Sequence, residues 1–280
     1  MATGSGHNIR IGLPSFVFQE LRVSEVPEFD INHLEIGFED RSRSAEFVEL
    51  CVRRGWSYSV HIPCPKHSDE RVRHFSPATA SVQFARESLD ITLETLAYWS
   101  CSGATHVVMH FPNANAIDRS ENHVLDERAA SAFLNAVTVA AETANLQIAI
   151  ENLSTNPRFW SARHYLEALG SYDRISFCLD VGHAFQAGGL EASFGFVDLM
   201  GPRLTSCHLY DYRRDGSNYF HECFVTPDET FFGASLGDIT TRLLAANRDL
   251  ILVHEAGNAA TSAGVRSLQR SLSFLRECAA

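Results

Sequence analysis

Lysine is almost missing from this 280-residue chain: Lys66 stands alone against 22 arginines. Schiff-base chemistry would rest on that one side chain, and its place between Pro65 and His67 reads as an ordinary loop lysine. No run of Lys or Arg forms a basic patch, and the formal net charge is −11. That balance weighs against nucleic acid as a partner, because holding a phosphate backbone needs cations that displace counterions. No apolar run reaches the roughly 18 residues of a membrane span, and no charged-then-apolar leader is present. The seven cysteines (51, 64, 101, 178, 207, 223 and 278) contain no C-x-x-C pair, as fits small buried thiols in a reducing compartment. The expected location is cytoplasmic, without membrane contact.

What is present is a regular alternation. Eight β-rich runs can be counted: Asn8–Leu13, His33–Phe38, Tyr58–Ile62, Thr105–Phe111, Gln147–Asn152, Ile175–Asp180, Leu204–Tyr210 and Leu250–Glu255. Helical patterns with apolar residues three and four apart separate them, over 43–54, 81–101, 121–145, 161–169, 235–247 and 262–278, with a shorter one over 191–200. The stretch 181–189 reads as a polar elbow and 211–232 as a long loop. Eight strand-helix units without a composition break imply parallel strands joined by crossover helices, which close as a (β/α)8 TIM barrel. An open doubly wound sheet is the runner-up, but no G-x-G-x-x-G follows the first run. No nucleotide or organic cofactor is expected. The reading is one α/β domain over 1–280, in which 1–8 form a loose tail, and an apolar content of 45% suffices for its core.

Barrel strands turn every second residue inward. Glu151 then faces in with Ala149, Asp180 with Cys178, His208 with Ser206, His61 with Ser59, His110 with Val108 and Glu255 with Val253. The last inward residues of six strands are thus His61, His110, Glu151, Asp180, His208 and Glu255, all of metal-ligand type, at the strand ends where active sites of this fold form. Three carboxylates converging without a cation would repel, and a divalent ion removes most of that penalty. His106 reads as a satisfied core histidine one layer deeper, and His254 as packed under a helix. His7, His33, His74, His123 and His164 are assigned to loops or helices without a chemical role.

These residues carry a family resemblance. Val60-His-Ile-Pro63, Met109-His-Phe-Pro112, Ile150-Glu-Asn152, Leu179-Asp-Val-Gly-His-Ala-Phe-Gln-Ala-Gly188, Cys207-His-Leu-Tyr-Asp211 and Val253-His-Glu255 resemble, in order and placement, the motifs of the xylose isomerase-like TIM barrel superfamily. Its members include sugar phosphate isomerases and epimerases, inosose-type dehydratases and type-IV apurinic endonucleases. The resemblance implies that Glu151, Asp180, His208 and Glu255 hold a divalent metal (Mn, Zn, Co or Mg, with Fe as an alternative). It assigns proton transfer to Glu151 and Glu255 and places His183 against a substrate hydroxyl or carbonyl, with His61 also at the substrate.

In the endonuclease branch, His61 and His110 resemble ligands of an additional metal, and His183 and His221 ligands of a third. The family's Asp-x-His pair reads Tyr219-Phe220-His221 here, so a carboxylate is missing from that third set. Arg213, beside Arg214 after the seventh strand, is a candidate contact for a phosphate or carboxylate on a small substrate. The activity the resemblance implies is isomerisation or epimerisation of a small polyhydroxylated ketone (sugar, sugar phosphate or ketocyclitol) through a metal-stabilised enediolate. The alternatives are a multinuclear metal hydrolase like the endonucleases, an iron-dependent oxidase, and a barrel kept only for binding. The partners expected are a small-molecule substrate and, as an option, further copies of the chain in a homo-oligomer.

Overall fold

A computed structural model of the chain describes residues 9–68, 71–72, 75–112, 126–153, 161–214, 219–223 and 235–279; for 211–214, 219–222, 235–236 and 279 it describes the backbone only. Eight parallel strands close into a barrel: β1 (Arg10–Pro14), β2 (His33–Gly37), β3 (Ser57–His61), β4 (Val107–His110), β5 (Ile148–Glu151), β6 (Ile175–Asp180), β7 (Leu204–Leu209) and, after a short hairpin, β10 (Ile251–His254). Each matches a run expected from the sequence, with ends displaced by one or two residues at most. Strand order follows the chain, and β10 closes on β1.

Between the strands lie α1 (Arg41–Arg54), α2 (Val82–Trp99), α3 (Glu127–Ala144), α4 (Ala162–Leu169), α5 (Val181–Met200), α6 (Ser235–Ala246) and α7 (Ser262–Ala279). Their starts follow from local chemistry. Asp40, Ser81, Asp126, Ser161 and Asp180 each cap a helix by accepting a backbone N–H of the first turn. Among the described residues, no helix is long and apolar enough to cross a membrane.

Two segments differ from the sequence reading. The stretch 181–189 is no elbow but the first turns of α5, started by Asp180 and broken at Gly188 and Gly189, where the backbone leaves helical angles. Within the expected loop 211–232, the segments Asp211–Arg214 (β8) and Tyr219–Glu222 (β9) pair as an antiparallel hairpin.

Apolar bulk fills the space between barrel and helices, where Tyr165, Phe177 and Phe196 pack ring on ring. Inside the barrel the layer under the mouth is small: Val108, Ala149 and Cys178 form their own buried cluster. These are three of the residues whose inward parity was expected. Register then decides what sits above them. His110 pairs with Glu151 across β4 and β5, and Asp180 pairs with His208 across β6 and β7. The second pairing depends on a register shift after Phe177, which skips Thr205. Without it Asp180 would lie beside Cys207, whose side chain belongs to the outer face, since one residue of slip reverses inside and outside.

His106 lies inside, between Thr105 Oγ1 at 3.0 Å and Ser206 Oγ at 3.1 Å. His33 begins β2, as the run His33–Phe38 implied, and is not in a loop or helix; it is fully buried and meets Ser57 and Ser59. Burial pulls the His106 imidazole down to about 4, opposed by the charge of Glu35. An unfolded histidine takes its proton near pH 6.5, so stability is full above that value and falls as the pH drops toward 4, by on the order of 3 kcal/mol. The variant His106→Gln is therefore expected to flatten the acid limb of a melting-temperature profile between pH 6.5 and 4. An equally steep limb in the variant would contradict this.

Candidate metal centre

Glu151, at the end of β5, is the hub of the barrel mouth. Its Oε2 lies 3.0 Å from Nε2 of His61 and 3.3 Å from Nε2 of His110, and its Oε1 lies 3.6 Å from Nδ1 of both His183 and His208. Glu151, Asp180 and His208 are almost wholly buried, whereas His110 and His183 keep a fifth to a quarter of their side chains exposed. His61 directs Nδ1 at the Ile62 carbonyl at 2.8 Å, and His183 directs Nδ1 at the Asn152 carbonyl at 2.9 Å. A proton on each Nδ1 satisfies those bonds; in His61 this leaves Nε2 to Glu151, the usual arrangement of a metal-binding imidazole, whereas in His183 it is Nδ1 that also lies 3.5 Å from Asp180 Oδ2.

Asp180 caps α5 through Oδ1, which accepts the His183 N–H at 2.6 Å and the Tyr210 hydroxyl at 3.0 Å. Its Oδ2 is buried and accepts no hydrogen bond among the described residues. Nδ1 of His208 is buried and likewise unbonded, although Oε2 of Glu255 lies 3.3 Å away. Unsatisfied buried polar atoms are rare and costly. Two of them, one a carboxylate oxygen itself, facing the same centre as the carboxylates of Glu151 and Glu255 fit a cation. Ligand-capable atoms fall into three overlapping groups, each within 4.8 Å: His61, His110 and Glu151; Glu151, Asp180 and His183; Asp180, His208 and Glu255. The four residues assigned to the principal metal are thus spanned by two groups that share Asp180.

The charged groups of the centre shift one another's proton affinities. Burial opposes the charge on His61, but the hydrogen bond and charge of Glu151 overcome it and raise the imidazole to about 9. His208 is pushed well above its ordinary value, burial being outweighed by the surrounding Cys178, Glu35, Glu255 and Glu151. Glu151 is held well below the carboxylate range, because His110 and His208 outweigh its burial. Asp180 moves up through burial, which His183 opposes and the charges of Glu151 and Glu255 reinforce. A divalent ion would replace such protons, so binding would release them.

Three residues of the centre had no role in the sequence reading. Glu35, buried on β2, reaches His208 Nε2 at 3.1 Å. Asn152 clamps the end of β6: its Oδ1 accepts the Asp180 N–H at 2.8 Å and its Nδ2 donates to the Asp180 carbonyl at 2.9 Å. Tyr210 supports Asp180 from the end of β7. Inward parity on β2 was the available signal for Glu35; Asn152 and Tyr210 lay inside quoted motifs. Arg213 and His221 fall on the hairpin, paired with Phe220 and Tyr212 respectively, and their side chains lie outside the described ones. Phe38 stands at the rim, 46% exposed, its ring 5.6 Å from that of His61 and its backbone left-handed at φ 60°.

Parallel closure with ligand-type side chains on the C-terminal strand ends defines a (β/α)8 barrel with a candidate metal centre. By sequence the chain belongs to the xylose isomerase-like TIM barrel family, whose profile matches residues 23–278. No curated protein is matched by sequence. Among solved structures it is similar to D-psicose 3-epimerase with D-tagatose from Clostridium cellulolyticum (11% identity, TM-score 0.68, 97% of this chain and 99% of that one). It is also similar to endonuclease IV from Thermus thermophilus (14%, 0.65, 96% and 99%). A third is a xylose isomerase-like TIM barrel protein from Mycobacterium smegmatis in complex with magnesium (14%, 0.60, 100% and 100%). At these identities the likeness establishes the fold alone.

Proposed function

We propose that this protein is a divalent-metal-dependent isomerase or epimerase of a small polyhydroxylated ketone, with Glu151, Asp180, His208 and Glu255 as the metal ligands. The observation that carries the reading is the pair of unbonded, buried atoms, Asp180 Oδ2 and His208 Nδ1, turned toward the carboxylates of Glu151 and Glu255. An ion bound there would supply Lewis acidity to a substrate carbonyl and acidify the neighbouring C–H bond. Glu151 and Glu255 reach the centre from β5 and from the end of β10, so one carboxylate can take the α-proton and the other return it. His183 holds Nδ1 on the Asn152 carbonyl and offers Nε2 to a substrate oxygen. Burial of Glu151 and Asp180 keeps their carboxylates out of bulk water, which strengthens the contacts these two make.

The test is exchange. The protein loaded with Mn2+ or Co2+ is incubated in D2O with D-tagatose, D-psicose and a set of ketocyclitols, and the α-proton signal is followed by NMR. Deuterium incorporation is the expected result, and no exchange with any of them would count against the reading. The group His61, His110 and Glu151 favours one other function, a hydrolase with a second ion. A metal content above one ion per chain, with cleavage of a phosphodiester, would move the assignment there.

Metal binding should also appear in stability. An ion at a hundred times its dissociation constant adds about 2.7 kcal/mol, which for a chain of this size raises the melting temperature by about 5 to 10 °C. Addition of EDTA is expected to reverse the gain, and a melt indifferent to both Mn2+ and Zn2+ would contradict the site.

A further inference from the structure

A line of buried hydrogen bonds crosses the barrel interior and ends on His208. At its lower end His33 is bracketed by two serines of β3, with Nδ1 2.9 Å from Ser57 Oγ and Nε2 3.0 Å from Ser59 Oγ. Gly12 on β1 leaves room for this ring: a Cβ there would stand 3.0 Å from its Cδ2. Ser59 donates its hydroxyl to Glu35 Oε2 at 3.3 Å. The Glu35 oxygens lie 3.1 and 3.3 Å from Nε2 of His208.

The direction of each bond follows from what each group can do. A carboxylate only accepts. Ser59 therefore gives its proton to Glu35 and receives the Nε2–H of His33, which leaves Nδ1 of His33 as an acceptor beside the Ser57 hydroxyl, whose one proton is shared between it and the Asn32 carbonyl at 3.2 Å. From the other side His208 must present Nε2–H to Glu35. Once an ion has displaced the remaining proton, Nδ1 carries a lone pair that faces Asp180 and Glu255. A leucine would fill the place of Glu35 without the cost of burying a carboxylate, and the donors that meet this carboxylate among the described residues are Ser59 and His208.

We propose that Glu35 is a positioning residue, which through its hydrogen bond holds His208 with the proton on Nε2 and so makes Nδ1 the atom that binds the divalent ion. The proposal rests on the metal reading above. Carboxylate partners of this kind change metal affinity by about 10- to 100-fold when removed.

Zn2+ serves as the probe, titrated by chelator competition into the metal-free full-length chain of wild type, Glu35→Gln and Glu35→Leu. Long-range 1H–15N spectra of the loaded proteins then report the His208 ring. The expected wild-type spectrum has a protonated Nε2 and a metallated Nδ1. Affinity is expected to fall about 10- to 100-fold in Glu35→Leu, with the Nε2–H signal lost to exchange. The fall should be smaller in Glu35→Gln, whose amide oxygen still accepts, while the signal moves upfield as the charge is lost. If the leucine variant does not fold, the glutamine variant decides: unchanged affinity with an unmoved Nε2–H resonance would overturn the proposal. So would Zn2+ on Nε2 in the wild type. A wild-type chain that bound neither Zn2+ nor Mn2+ would overturn the metal reading itself, whereas binding indifferent to Glu35 overturns this inference alone.

Discussion

The variant Glu151→Gln is expected to lose turnover by at least about a thousandfold, within the range of a lost general acid or base, and to lose its metal at the same time. The reason is geometric. One carboxylate meets His61, His110, His183 and His208 within 3.6 Å, so a single charge holds four imidazoles to the centre. Glutamine has the same shape and keeps an oxygen for hydrogen bonds, so the circular dichroism spectrum should be unchanged. Asp180→Asn is the companion test, because asparagine still caps α5 while the unbonded Oδ2 loses its charge. Elemental analysis after gel filtration, alongside the exchange assay, reads both effects. Full turnover in either variant would remove the proposed metal set.

The second large effect is expected at Gly182, on the first turn of α5. A Cβ at this position would lie well inside van der Waals contact with Cζ and Oη of Tyr210. Tyr210 is fully buried and donates to Asp180, so its ring cannot swing away without breaking that bond. Gly182→Ala is therefore predicted to destabilise the fold by about 3 kcal/mol, the upper part of the range for overpacking, and to weaken metal binding through Asp180. Urea denaturation measures the first consequence. Repeating the substitution in a Tyr210→Leu background should recover most of the loss, since contacting residues couple in a double-mutant cycle. An unshifted urea midpoint in Gly182→Ala would contradict the predicted contact.

The barrel was legible because its strands are buried on both faces and end on polar residues. Ile148-Ala-Ile-Glu151 and Ile175-Ser-Phe-Cys-Leu-Asp180 announce both the strand and its inward terminus. The same rule missed Glu35 for a physical reason. The last inward position of β2 is Gly37, where a Cβ would stand 3.0 Å from the Cβ of His61. With no side chain there, the residue below becomes the floor of the site. The start of α5 was hidden differently: Gly182 lowers helix propensity, Gly188 and Gly189 break the helix after its first turns, and the cap supplied by Asp180 starts it nonetheless. The register shift after Phe177 leaves no mark in composition. Nor does the hairpin of β8 and β9, which lies outside the strand-helix rhythm that revealed everything else.

Phe38 keeps a bulky ring over His61 by holding its backbone in the left-handed region, a conformation that costs on the order of 1 kcal/mol or more for such a residue. Glycine would relieve that cost but remove the ring, and a β-branched residue would increase it. The position therefore lets two kinds of selection be told apart in a library randomised at this codon. Heat challenge alone would enrich glycine, while growth dependent on turnover would retain phenylalanine, and the ratio of the two codons would record how far the population had traded one property for the other.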